Sequence, residues 1–155
     1  MKIKSLSELK RIVNRLKKKD KKIVFTNGCF DILHPGHIYY LKDAKKKGDR
    51  LILGLNSDSS VRKLKGKGRP LIPEGERAEI LSNLESVDYI CIFHEETPER
   101  LSREISPDVL VKGGDYRRKE VVGRKFVEEK GGKVIIIPLL KGYSTTKLIE
   151  KIKRL

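Results

Sequence analysis

Residues 21–58 read "KKIVFTNGCFDILHPGHIYYLKDAKKKGDRLILGLNSD", and their pattern decides the fold. A short apolar run stops at Asn27-Gly28, and a second, "RLILGLNSD", starts at Arg50. Between them Ile38, Leu41 and Ala44 share one face of a helix over about 35–47, with Gly48 in place to end it. Two nearly all-apolar strands joined by an amphipathic helix make a parallel crossover unit, buried on both faces.

The pattern repeats outward from this unit. Ser5 and Glu8 have capping-box spacing ahead of Leu6, Leu9, Val13 and Leu16, which predicts a helix over 5–19. Residues 56–73, carrying Lys63, Lys65, Lys67 and Arg69, read as a polar loop. Ala78, Leu81 and Leu84 mark a helix, and "VDYICIF" (87–93) a strand. Thr97-Pro98 starts another helix, "DVLVKGGD" (108–115) is a strand closed by a glycine turn, and a helix over 118–130 stops at Gly131-Gly132. "KVIIIP" (133–138) is the fifth strand, and a last helix begins near Ser144. The expectation is α/β: a doubly wound, five-stranded parallel sheet in a single domain over 1–155.

Composition narrows the function classes. A formal charge of +15 favours anionic partners. Many of the lysines sit in runs such as Lys45-Lys46-Lys47 at the ends of expected helices, where they stay solvated and complement the dipole. Cys29 and Cys91, the two cysteines, lack Cys-x-x-Cys spacing, which argues against a disulfide framework and for a reducing cytoplasm. No stretch approaches the roughly 20 apolar residues of a membrane span, and the N-terminus lacks the apolar core of a signal peptide. A basic nucleic-acid-binding module is a rival reading, opposed by sparse aromatics and the lack of a reader motif.

In doubly wound folds ligands sit beyond the carboxyl ends of the strands, and the unusual sequence collects there. His34-Pro35-Gly36-His37 opens a helix: Pro35 suits its first turn, Gly36 lets a ligand near the backbone, and the imidazoles lie three apart at its positive end. A zinc site would need a third ligand, which no nearby residue supplies. Ser144-Thr145-Thr146 offers more hydroxyls than one cap requires, at a second helix start on the same edge. The cationic, glycine-interrupted stretch from Arg62 to Arg69 is a solvated loop or a cover for bound phosphates. No Gly-x-x-x-x-Gly-Lys-Ser/Thr loop or Gly-x-Gly-x-x-Gly fingerprint occurs, so phosphate must be held by other means.

Gly28 to Asp31, the histidine pair, Asn56-Ser57-Asp58, Glu76-Arg77 and Ser144-Thr145-Thr146 together resemble the nucleotidyltransferases of the His-x-Gly-His type, in their cytidylyltransferase-like branch. "NSDSSVRKLKGKGRP", "EETPERL" and "DVLVKGGDY" are similar to the adenylyltransferase half of ADP-heptose synthases. The likeness runs over about 20–153, behind the helix within 1–19. It departs at Leu139-Leu140-Lys141-Gly142, where a glycerol-phosphate cytidylyltransferase has Arg-Thr-Glu-Gly, and at Tyr143, where the heptose branch often has Cys.

The resemblance implies a Rossmann-like fold and adenylyl transfer from ATP to D-glycero-β-D-manno-heptose 1-phosphate. The products are ADP-heptose, a lipopolysaccharide core precursor, and pyrophosphate. Cytidylyl transfer to glycerol 3-phosphate or ethanolamine phosphate, and FMN adenylyl transfer, are the alternatives. It assigns His34 and His37 to the triphosphate, and Lys65 to the β and γ phosphates or the acceptor. Thr26, Asn27, Gly28, Phe30 and Gly36 would shape the nucleotide pocket. Arg77 would clamp the triphosphate or form a helix-surface ion pair; Gly113, Gly114 and Asp115 would approach ribose or base. Ser144, Thr145 and Thr146 would meet phosphates. Asp31 would orient its loop or the first histidine, and Asp58 the acceptor or a turn. Mg²⁺ would arrive with ATP, its protein ligands unassigned. A homodimer and a separate heptose kinase as substrate source complete the expectation.

Overall fold

The computed structural model describes residues 1–114, 117 and 120–155. Five parallel strands, β1 (Ile23–Gly28), β2 (Arg50–Asn56), β3 (Tyr89–Phe93), β4 (Val109–Gly113) and β5 (Lys133–Ile137), form one sheet in the order β3-β2-β1-β4-β5. Around them lie α1 (Leu6–Lys17), α2 (Pro35–Lys45), α3 (Asp58–Lys65), α4 (Glu74–Ser82), α5 (Glu99–Ile105), α6 (Arg124–Glu129) and α7 (Thr145–Lys153). The doubly wound architecture expected from the sequence is the one observed.

The strands are apolar on both faces because helices cover both. Leu41 and Ala44 of α2 and Ala78 and Leu81 of α4 pack with Val24, Leu53 and Val111 on one side. Leu9 and Val13 of α1, Leu101 and Ile105 of α5, and Val127 of α6 pack with Phe25, Ile52 and Leu110 on the other. At the start of α1, Glu8 N donates to Ser5 Oγ (3.3 Å) and Ser5 N to Glu8 Oε2 (2.8 Å), the reciprocal cap its spacing predicts. Just before α1, Lys4 N and Ile90 O bond at 2.8 Å, and Ile90 N donates to Lys2 O at 3.0 Å, so the N-terminal arm covers the β3 edge.

One expectation fails. The stretch over 56–73 is not all loop, since Asp58–Lys65 is helical. Ser57 caps it by accepting from Ser60 N, Asp58 lies in the first turn, Arg62, Lys63 and Lys65 lie in the last, and Val61 is buried. The loop proper starts at Gly66, whose φ of 90° ends the helix. The helix expected over 118–130 is described from Arg124, after Gly123 with φ 87°.

Strand order sets the site. From β1 the chain builds outward through β2 and β3, then returns to lay β4 and β5 on the other side of β1. The reversal leaves a crevice between the carboxyl ends of β1 and β4, where doubly wound sheets take ligands.

Candidate nucleotide site

A cavity of about 470 Å³ occupies that crevice. Its floor begins where β1 ends. Thr26, expected in the pocket, is fully buried beneath it and not in its wall. It donates to Val111 O at 2.9 Å and shares a 2.5 Å bond with the Tyr40 hydroxyl, which ties β1 and β4 to α2. A Cβ at Gly28 would sit 2.6 Å from Phe30 Cε2, so only glycine leaves room for that ring. Phe30 reaches its place through a positive φ of 46°, and its ring backs His37 at 5.1 Å.

His34 caps α2 in extended conformation (φ −142°, ψ 166°), yet its side chain makes no capping bond. Its ring stacks on that of His37, centroids 3.8 Å apart and planes 20° from parallel. Gly36 permits this: a Cβ there would fall 2.9 Å from His34 Cε1 and Nδ1, and 3.1 Å from Tyr143 Cβ. Nδ1 of each imidazole is buried with no hydrogen-bond partner. Burial, with the His34 charge adding to it, pushes His37 down to about 4 from an ordinary 6.5. Burial lowers His34 as well. Both rings are therefore neutral near pH 7, each with one N–H to donate. They stand at the positive end of a helix dipole, where Pro35 has no N–H and the His37 and Ile38 amides donate to His34 O at 2.9 and 3.4 Å.

The start of α7 lies against this pair. The Tyr143 ring is 6.2 Å from that of His34 and 20° from parallel, and Thr145 Oγ1 donates to Ile32 O at 3.5 Å. Ser144 Oγ accepts from Lys147 N at 3.1 Å, an ordinary cap, while Ser144, Thr145 and Thr146 all line the cavity. Two helix N-termini thus face one space, an arrangement suited to a polyphosphate.

Asp31 lines the cavity with its charge already used. Its carboxylate accepts from Arg69 Nε (2.6 Å), Leu71 N (2.8 Å) and Ile72 N (2.9 Å). Burial would raise its pKa, but these bonds outweigh it and hold the carboxyl below the usual range. It orients the loop from Arg69 to Ile72, and no bond joins it to His34.

Arg77 is placed otherwise than as a triphosphate clamp or a surface ion pair. It is 1% exposed and absent from the cavity wall. Its guanidinium donates to the carbonyls of Ile72, Cys29 and Asn56, and to Asp58 Oδ1 at 2.8 Å. It fastens the β1 and β2 loops to α4 from behind, and Asp58 serves as its partner, also away from the wall. Gly114 stands behind Leu139, whose side chain would meet a Cβ there at 3.1 Å; Gly113 lines the cavity; Asp115 lies outside the described residues.

Asn27, Gly28, Phe30, Gly36 and Lys65 line the cavity as well. So do residues the sequence did not single out as site residues: Cys29, Tyr40, Asn56, Arg69, Lys112 and Leu140. Burial pushes the Cys29 thiol up, which leaves it a poor nucleophile. Among the described residues, no three His, Cys, Asp or Glu side chains converge as metal ligands, and no helix is long and apolar enough to cross a membrane.

Residues 25–151 match the model of the family described as cytidylyltransferase-like. The chain is 56% identical over 153 residues to the bifunctional protein HldE of Geobacter metallireducens, covering 99% of this chain and 31% of that one. It is 49% identical over 149 residues to HldE of Hydrogenovibrio crunogenus, covering 96% of this chain and 31% of the relative. The chain thus spans 31% of the length of these curated relatives. Among solved structures, the lipopolysaccharide core biosynthesis protein from Thermoplasma volcanium superposes with a TM-score of 0.65 at 35% identity, over 80% of this chain and 99% of that one. Pantoate-β-alanine ligase from Francisella tularensis superposes with a TM-score of 0.64 at 18% identity, over 100% of this chain and 78% of that one, a likeness of fold alone.

Proposed function

The chain belongs to the cytidylyltransferase-like family, and from that premise we propose that it transfers the adenylyl group of ATP to D-glycero-β-D-manno-heptose 1-phosphate, giving ADP-heptose and pyrophosphate. The observation that carries the reading is the convergence of the His34–His37 stack and the start of α7 on one cavity. The choice of acceptor is supported by the heptose-type stretches at 56–70 and 108–116 and by 56% identity to a bifunctional relative.

The acceptor phosphate brings its own nucleophilic oxygen, so no serine or covalent intermediate is called for. What the reaction needs is alignment, and stabilisation of charge as pyrophosphate departs. The neutral imidazoles donate to the triphosphate at the positive end of the α2 dipole, and Thr145 and Thr146 donate from the facing helix. Lys65, in the cavity wall at the end of α3, adds positive charge. Asp31 holds the loop carrying Arg69 in place.

A Mg²⁺ ion arriving with ATP would be held by phosphate oxygens and water, since Asp31 is already engaged by Arg69, Leu71 and Ile72 and among the described residues no three His, Cys, Asp or Glu side chains converge. The ion would supply further neutralisation of the triphosphate. A homodimer in the cytoplasm, fed by a separate heptose kinase, belongs to the same proposal.

Pyrophosphate release across a matrix of ATP, CTP and phosphorylated acceptors tests it. The expected result is the highest kcat/KM with ATP and heptose 1-phosphate. Preference for CTP with glycerol 3-phosphate or ethanolamine phosphate, or for FMN as acceptor, would refute the assignment.

A further inference from the structure

The imidazoles and both helix starts approach the cavity from one face of the sheet. Val24 belongs to the layer under α2, and Thr26 bonds Tyr40 of that layer. Phe25 belongs to the opposite layer, under α1 and α5, so alternation turns Asn27 the same way. In β4, Val109 and Val111 face the α2 layer and Leu110 the other, which puts Lys112 on the side of Asn27. Phe25 pairs with Leu110 in parallel register, and Lys112 Nζ donates to Asn27 Oδ1 at 3.4 Å. Both residues line the cavity. The space therefore has two cationic or donor-rich ends, on opposite faces of the sheet.

Phosphoryl-type transfer places the entering and departing oxygens roughly in line through phosphorus. If pyrophosphate departs on the imidazole side, the entering phosphate comes from the Lys112 side. Resting on the adenylyl-transfer reading above, we propose that Lys112 binds the phosphate of the acceptor sugar 1-phosphate, with Asn27 positioning its ammonium group. An oxygen of that phosphate bonds to the α-phosphorus as the bond from α-phosphorus to the bridging oxygen breaks, and pyrophosphate leaves with the electron pair. No proton has to move, since the acceptor oxygen is already anionic near neutral pH. Burial pushes the Lys112 amine below the ordinary lysine range, and Lys65 is near enough to add to the effect. A dianionic phosphate relieves both costs, and so gains more here than at a solvated lysine.

Steady-state kinetics of wild type, Lys112→Met and Lys112→Gln, with ATP and heptose 1-phosphate varied in turn, tests the assignment. Methionine keeps the length and apolar stem of the side chain; glutamine serves if the methionine variant fails to fold. The acceptor KM should rise about 10- to 100-fold, the weight of a charged hydrogen bond, with the ATP KM unchanged. A rise confined to ATP, a parallel rise in both, or no rise in either overturns the inference while leaving adenylyl transfer standing. A wild-type protein that releases no pyrophosphate with any sugar 1-phosphate overturns the transfer reading, and the inference with it.

Discussion

His34 and His37 stack ring on ring at 3.8 Å, and neither Nδ1 has a hydrogen-bond partner. Leaving buried polar atoms unpaired costs stability. Here the cost falls at the positive end of α2, where an incoming anion can be met by donors already in place. Preorganised donors of this kind do not have to reorient as charge develops, which is where their catalytic value lies.

His37→Ala should lower kcat by about 10²–10³, in line with loss of one donor to developing charge. Circular dichroism should show the fold intact, because the ring is backed by Phe30 and does not tie strands together. Near-normal turnover in the folded variant would remove His37 from the mechanism.

Gly36→Ala separates helix propensity from site geometry. Alanine is the better helix former by about 1 kcal/mol, yet its Cβ would fall 2.9 Å from the His34 ring. The ring must shift, and small misplacements at a reacting centre can cost about 10²-fold. Turnover should fall by at least about tenfold while the melting temperature holds to within a few degrees. A fully active variant would mean that the position of His34 is immaterial.

Arg77→Ala addresses the arginine's internal role. Its four acceptors are three backbone carbonyls and Asp58 Oδ1, and the guanidinium itself is not part of the cavity wall. Removing one member of a buried ion pair costs about 3–5 kcal/mol, so urea unfolding should show a loss approaching that order. Unchanged stability with a raised ATP KM would restore the triphosphate clamp.

The pH dependence of stability follows from His37. Its pKa is about 4 in the folded protein against 6.5 ordinarily, so between those values the unfolded chain binds the proton and the folded one does not. The contribution is complete above 6.5 and is lost as pH falls toward 4. Wild type should therefore lose unfolding free energy faster than His37→Gln across that window. Parallel curves would show that the imidazole is not held neutral.

How far the sequence could be read depended on how regular the signal was. Apolar strand cores such as "VDYICIF" and the caps at Ser5 and Ser144 carry their own markers, and they lie where expected. The helix α3 escaped because a single buried apolar residue, Val61, anchors it and the lysines and Gly66 around it look like loop. The burial of Arg77 escaped because three of its four acceptors are main-chain carbonyls, which no side-chain pattern reports. Lys112 reads in the sequence as a strand end on the ligand-binding edge, with nothing to tell which face it takes. What marks it is strand alternation, once the β1–β4 pairing is known.

The three histidines make the central claim directly measurable. His94 is exposed and off the cavity wall, an internal control beside His34 and His37. In a titration with ATP and Mg²⁺ followed by histidine side-chain NMR, the resonances of His34 and His37 should shift together and saturate at one ATP per chain, with His94 unmoved. Saturated binding that leaves both cavity imidazoles unshifted would contradict the account.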